Sequence, residues 1–263
     1  PVVVLNADYD MARKTVDLRE TIVRGRAGRV SAQGNVSFSP QLGADLSGSF
    51  QLDGAEAGLA RPVNLSGNFE AARAGSGMTQ FNTRISASEL GELPAPVSDW
   101  AGETALLNVR GVLQADNSVD LNSFSLESGT LSLNGSGRLS SEQAISASAQ
   151  LQAGEATLAG YTLDSLSGRA DVSGTLDAMN FVVNFNATEL AGESLTFTDV
   201  DLGADGTYGE GALTANAALN AGTTNGPLDL NTGLTLNGSD WQVSDLEASW
   251  GALTADATLS GSG

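Results

Sequence analysis

The sequence predicts an all-β protein, and three observations support this class. Apolar and polar residues alternate through most of the chain, for example over residues 131–134 and 234–237, which places the apolar side chains on one face of each strand. Gly, Asn, Asp and Ser interrupt the alternation about every 8–12 residues, the spacing of turns between short strands. The third observation is a repeated pairing of two alternating segments around a glycine.

That repeat has the plan of a hairpin. It occurs over residues 16–38, 119–139 and 243–259. Repetition of a hairpin unit predicts an elongated, antiparallel sheet in which each unit contacts its neighbours. Because a long open sheet twists and curls, it must close, split into a sandwich or bend along its length. A β-solenoid is the alternative architecture.

One segment, residues 88–102, breaks the alternation and contains two prolines. We expect a short helical turn there, over residues 89–93 or 97–101, between a β block at 1–87 and a second block at 103–263 that continues the same sheet. A long surface loop within one sheet is the alternative. The pattern also starts and stops part-way through a repeat, so we expect the chain to be a segment of a longer protein.

Charge and composition exclude several functions. Twelve basic and 31 acidic residues give a net charge of −19, which repels nucleic acid because its recognition needs Lys and Arg to neutralise phosphates. The chain has no Cys and no His, so disulfides, Cys/His zinc sites and Ser-His-Asp or Cys-His catalysis are all excluded. No apolar run approaches the 18 residues of a membrane-spanning helix.

Candidate sites for metal or catalysis are weak. Asp199, Asp201, Asp205 and Glu210 form an acidic cluster in a predicted Gly-rich turn, which we interpret as solvated rather than as a calcium site because the spacing fits no EF-hand. Carboxylate-pair chemistry on sugars stays open, although the spacing singles out no pair of acidic residues. Trp100, Trp241 and Trp250 are candidates for stacking on sugars or for anchoring a core. No metal, cofactor or catalytic residue is predicted.

Several strings resemble a known family when taken in order. Residues 85–93 followed by 100–113 resemble a strand, a short helical insertion and a following strand of the TamB/AsmA-like family. Residues 126–139, and 172–177 followed by 181–185, resemble its recurrent repeat units. The segment 177–179 departs from the pattern because the usual proline is absent. Together these strings lie between residues 85 and 185 and resemble the repeating β-groove region of that family.

The resemblance implies a fold, a location and partners. Members of the family are anchored in the inner membrane and cross the periplasm, and their sheet is curled into a half-open apolar trough, the β-taco or β-groove. They act in phospholipid transport between the inner and outer membranes and in outer-membrane protein assembly, without enzymatic activity. The implied partners are phospholipid acyl chains and, through parts outside this segment, an outer-membrane barrel of the Omp85 type.

The alternation and the resemblance together predict which residues line the groove. A closed core is the alternative for the same residues. The competing functions are an extracellular β-solenoid passenger or adhesin and a carbohydrate-active β-helix. The predicted groove-lining residues are Phe124, Leu126, Leu131, Leu133, Phe181, Val183, Phe185, Leu195 and Phe197.

Overall fold

A computed structural model describes residues 2–38, 43–53, 63–74, 77–90, 100–158, 160–175 and 177–262. The described residues form nineteen β-strands. The first nine are β1 Val2–Asp10, β2 Thr15–Gly25, β3 Gly28–Ser37, β4 Gly43–Asp53, β5 Asn64–Arg73, β6 Thr79–Ser88, β7 Thr104–Leu113, β8 Val119–Ser128 and β9 Leu131–Leu139. The next ten are β10 Ala144–Ala153, β11 Ala156–Leu158, β12 Tyr161–Leu163, β13 Leu166–Thr175, β14 Ala178–Ala191, β15 Thr196–Gly209, β16 Ala212–Thr223, β17 Leu228–Asn237, β18 Asp240–Trp250 and β19 Leu253–Ser262.

Two compact units divide the chain. The first contains Pro1–Gly129 and Ser136–Ser141, and the second contains Thr130–Gly135 and Glu142–Gly263. In the first unit, strands β1 to β8 pair antiparallel, each with the next along the chain.

In the second unit, β10 pairs with β13 around the short hairpin β11–β12. Strands β13 to β19 then follow in sequence order. The prediction of an all-β, repetitive, antiparallel structure is confirmed. The ladders described within the two units contain none of the parallel pairing that stacks the coils of a parallel β-helix.

The irregular segment at residues 88–102 connects two adjacent strands of the first unit. Strand β6 pairs with β7 from Thr79↔Leu113 to Ser88↔Thr104 without a register shift. Leu90 has 3₁₀ geometry and Trp100 and Ala101 are helical, while the rest of the predicted helical turns, residues 91–99, lies outside the described residues. The division between the two compact units falls at residues 129–142, and the predicted β blocks at 1–87 and 103–263 stay a prediction.

Strand register in the first unit separates an apolar from a polar face, because side chains alternate between the two faces of a strand and opposite residues share a face. One apolar row crosses β3 to β8 through Val30, Phe50, Gly67, Ile85, Leu107 and Leu126. The adjacent row on the other face contains Ser31, Ser49, Asn68, Arg84, Asn108 and Ser125.

The second unit repeats this segregation. An apolar row crosses β10 and β13 to β19 through Leu151, Gly168, Phe185, Leu202, Leu219, Leu230, Ala248 and Ala255. The adjacent polar row contains Gln150, Arg169, Asn184, Gly203, Ala218, Asn231, Glu247 and Asp256.

Deep burial is scarce in the described part of the chain. The apolar residues that are buried there are six alanines and Leu163. Large side chains stay partly exposed, so hydrogen-bonded ladders and half-buried rows stabilise these sheets in place of a thick core. No helix within the described ranges is long and apolar enough to cross a membrane.

Candidate functional site: the apolar sheet faces

The apolar face of the second unit centres on strand β14, whose alternation points Phe181, Val183 and Phe185 to the same side. Their directly opposite neighbours are small or aliphatic: Val183, for example, lies between Ala170 and Ala204. Residues opposite each other on adjacent strands are about 5 Å apart. Phe181, Val183 and Phe185 are therefore the large side chains of this part of the face, with mostly small residues opposite them.

Much of this face remains accessible to solvent. Leu202 is 41% exposed and Leu236 is 37% exposed, and both belong to the apolar rows. At the end of the strands, Tyr208 and Trp241 are 43% and 40% exposed. Burial of apolar surface is the main favourable term in association, so a face of this kind is suited to binding an apolar partner.

All nine predicted groove-lining residues are half-buried. In the first unit, Phe124 and Leu126 lie on the apolar face of β8, opposite Val109 and Leu107. The other seven belong to the second unit. The structure brings three of these together on β14, namely Phe181, Val183 and Phe185.

The remaining four occupy other parts of the second unit. Leu131 and Leu133 lie in β9, and Leu195 immediately precedes β15. Phe197, within β15, packs against Tyr161 with ring centroids 6.0 Å apart. Their assignment to a shared groove with β14 stays a prediction.

A recurrent contact that sequence reasoning missed shapes both apolar faces: an aromatic ring covers the glycine directly opposite on the next strand. A Cβ added to Gly67 would lie 2.8 Å from the Phe50 ring, and one added to Gly261 would lie 2.7 Å from the Trp241 indole. The available signal was glycine in the middle of a strand pattern, which marks a close approach. The five directly opposite pairs are Phe50–Gly67, Phe69–Gly48, Phe81–Gly111, Phe185–Gly168 and Trp241–Gly261.

The acidic cluster is not a turn, which corrects the sequence prediction. Asp199, Asp201 and Asp205 lie within β15, and Glu210 alone occupies the following turn. All four are exposed, and Asp201 contacts the side-chain amide of Asn186 on β14. Within the described ranges, no three His, Cys, Asp or Glu residues come together as a possible metal site.

Among the described residues, two carboxylates have shifted pKa values, both in the same direction. Hydrogen bonds from the hydroxyl and the backbone amide of Ser118 hold the pKa of Asp116 below its ordinary value. A hydrogen bond from the Arg169 guanidinium, reinforced by Ser148, lowers the pKa of Asp171. A catalytic general acid needs the opposite shift, because it must stay protonated near neutral pH.

The three tryptophans occupy different settings. The Trp250 indole donates a 2.8 Å hydrogen bond to the Thr223 hydroxyl and is half-buried, as expected of a sheet anchor. Trp241 covers Gly261 on the apolar face, and Trp100 is half-buried in the helical segment.

Comparison with known proteins adds no relatives: no protein-family model, curated protein or solved structure matches this chain.

Proposed function

We propose that this chain is a non-enzymatic, lipid-handling segment whose apolar sheet faces hold phospholipid acyl chains. The observation that carries the proposal is the unbroken set of half-exposed apolar rows, from β3 to β8 in the first unit and from β10 to β19 in the second. Acyl chains are uniform methylene polymers, and a row of apolar side chains that repeats at each strand matches such a ligand.

The energetics favour an acyl chain over a ligand with a defined polar group. Each methylene removed from water contributes about 0.8 kcal/mol. Strands are about 4.8 Å apart, so each additional strand along the row adds contact for several methylenes. Affinity would therefore grow with chain length and depend little on the headgroup.

The proposal places the chain in the periplasm, as part of an inner-membrane-anchored protein that carries lipid between the inner and outer membranes. A role in outer-membrane protein assembly is the second use of the same face, because a nascent β-strand also presents an apolar side. This placement and both roles rest on the resemblance to the TamB/AsmA-like family and on the accessible apolar rows.

The two competing functions fit the fold less well. A carbohydrate-active β-helix and a solenoid passenger use stacked parallel coils, whereas the ladders described within each unit are antiparallel hairpin ladders. The lowered pKa values of Asp116 and Asp171 also give no support to a sugar-cleaving acid.

Two adjacent valines provide a matched test. Val183 belongs to the apolar face of β14, while Val182 is 45% exposed on the polar face. A photo-reactive amino acid at position 183 should crosslink to phospholipid in cells, and the same group at position 182 should not. Equal crosslinking from both positions, or none from position 183 and the other groove-lining positions, would contradict lipid binding by this face.

A second variant separates an open groove from a closed core. Phe185→Asp puts a charge on the apolar face of β14. If the face is open, the folded protein should persist while crosslinking from position 183 falls, because an unpaired charge in the acyl path costs several kcal/mol when dry. A closed core predicts that the variant unfolds, as seen in its thermal melting curve.

A further inference from the structure

The polar face of the first unit carries a basic patch that the lipid proposal does not use. We define this basic patch as Arg24, Arg29 and Arg84, on strands β2, β3 and β6. All three are exposed. They stand out because the chain as a whole carries a net charge of −19.

Two of these arginines face each other across the β2–β3 hairpin. Arg24 lies directly opposite Arg29 in the strand register, an arrangement of like charges that destabilises a strand pair. Within the described residues, no carboxylate lies within ion-pair distance of Arg24, Arg29 or Arg84. The arginines that do have an acidic partner are Arg13, Arg19, Arg73, Arg138 and Arg169.

Neutral hydrogen-bonding side chains fill the space between Arg29 and Arg84. One row runs from Arg29 through Gln51 and Ser66, and the next runs from Ser49 through Asn68 to Arg84. With their neighbours they line a depression of about 530 Å³. The Ser31 and Ser49 hydroxyls at its side are 2.9 Å apart.

On β2 to β7, neither of these two rows contains an acidic residue. The rows that flank them on the same face do hold carboxylates: Glu20 on β2 and Glu70 on β5 on one side, and Asp53, opposite Asn64, on the other. The lining of the depression itself therefore contains two guanidinium groups with hydroxyl and amide groups and no carboxylate, while Glu20, Glu70 and Asp53 lie in the rows on either side.

We propose that this depression binds a phosphate group, with Arg29 and Arg84 as its charged ligands. The planar guanidinium fork matches phosphate oxygens with two hydrogen bonds, and the hydroxyl and amide groups of Ser49, Gln51 and Asn68 supply neutral donors between the two forks. A bound dianion also offsets the repulsion between Arg24 and Arg29. The phosphate comes either from a lipid headgroup or from a soluble phosphate ester.

An acidic protein surface is a weaker candidate for the same patch. A carboxylate-bearing surface would have to enter a small depression next to Glu20 and Glu70, which would repel it. A single phosphate group is compact and needs no area beyond the depression that Arg29 and Arg84 line.

The experiment uses the full chain and follows backbone and guanidinium NMR signals. Inorganic phosphate and glycerol 3-phosphate are titrated against sodium chloride of equal ionic strength, and flotation measures binding to phosphatidylglycerol and phosphatidylcholine vesicles. The variants are Arg29→Gln and Arg84→Gln. Arg13→Gln is the control, because it removes the same charge at the β1–β2 turn. That turn lies one length of β2, about 35 Å along the strands, from the basic patch.

Phosphate is expected to shift the signals of Ser49, Asn68 and Arg84, and each patch variant should weaken binding about tenfold while Arg13→Gln changes it less than twofold. Saturation by the soluble phosphates identifies a soluble source. Binding only to phosphatidylglycerol vesicles, with the same arginine dependence, identifies a headgroup.

Three results would overturn the proposal. The first is no response to any probe, and the second is equal weakening by Arg13→Gln. The third is self-association of the protein that Arg29→Gln and Arg84→Gln abolish while phosphate has no effect, because the patch would then hold the acidic surface of another copy. None of these results bears on acyl chains at the apolar face, which the crosslinking from position 183 tests separately.

Discussion

Glycine beneath an aromatic ring is a recurrent contact on the apolar faces. The Phe185 ring lies over Gly168 on β13 so closely that a Cβ there would be 2.5 Å from the ring's Cε1 atom. Glycine weakens an isolated strand, and a ring that covers the exposed backbone compensates for this loss. Each pair therefore places an aromatic ring against the backbone of the adjacent strand on the apolar face.

This contact predicts different outcomes for two glycines on the strands that flank β14. Gly168→Ala should displace the Phe185 ring and destabilise the protein by about 1–3 kcal/mol, the usual cost of overpacking. Gly203→Ala, on β15, should change stability by less than about 0.5 kcal/mol, because the added Cβ would be 3.4 Å from the Asn184 side chain. Urea unfolding of both variants checks this, and equal destabilisation would show that the ring contact is unimportant.

Individual residues also show where sequence reasoning fails. Asp205-Gly206 is a favourable hairpin-turn dipeptide, yet both residues lie in the middle of β15. A Cβ at Gly206 would lie 2.8 Å from the Ala215 Cα, so this glycine serves a close approach between strands. Only the tertiary register distinguishes the two uses of glycine. At Asn237-Gly238 a turn does follow, offset by one residue: Asn237 ends β17 and Gly238 and Ser239 form the turn to β18.

The strand elements are long and depart from regularity at bulges. Asp199 in β15 and Asp245 in β18 have positive φ angles of 50°, and each coincides with a register shift against a neighbouring strand. Asp tolerates the left-handed region better than most residues. Two residues of the predicted acidic turn thus have different structural roles: Asp199 lies at a bulge, whereas Asp205 lies in the regular part of β15.

Valine substitutions at these two aspartates should have opposite effects. Asp199→Val should destabilise the protein by about 1–2 kcal/mol, because a β-branched residue is strained at positive φ. Asp205→Val should be neutral or stabilising, since valine favours strands and would sit opposite Val182. The two variants remove the same charge, so chemical denaturation isolates the backbone effect. A matching loss of stability in both would mean that the bulge is not strained.

The strand content was predictable because alternation is local. Strand β14 was predictable from the alternation at Phe181, Val183 and Phe185, although its ends were not. Strand β15 was predicted to contain a turn, because its acidic and glycine residues hide the period. The short hairpin β11–β12 was not predicted, because three-residue strands are too brief to show a period. Its presence makes β10 pair with β13, a non-consecutive partner that depends on long-range register.

Charge is distributed unequally between the two compact units. The first contains 11 of the 12 basic residues and 15 of the 31 acidic ones, a net charge of −4, whereas the second contains Arg169 alone against 16 acidic residues, a net charge of −15. In the second unit, Glu247 even lies directly opposite Asp256. The sequence showed this asymmetry at once, but the boundary of the units at residues 129–142 needed the contacts of the folded chain.

Salt should therefore stabilise the second unit more than the first. Raising the ionic strength from 0.01 M to 0.15 M shortens the screening length from about 30 Å to about 8 Å, which relieves the self-repulsion of a highly charged compact state. Hydrogen exchange measured at both salt concentrations should show protection of the β15–β18 amides rising more than that of β3–β6. Sucrose is the control, because an excluded osmolyte raises both units alike without screening charge. If sodium chloride raised amide protection equally in both units, repulsion among the acidic residues of the second unit would not measurably lower its stability.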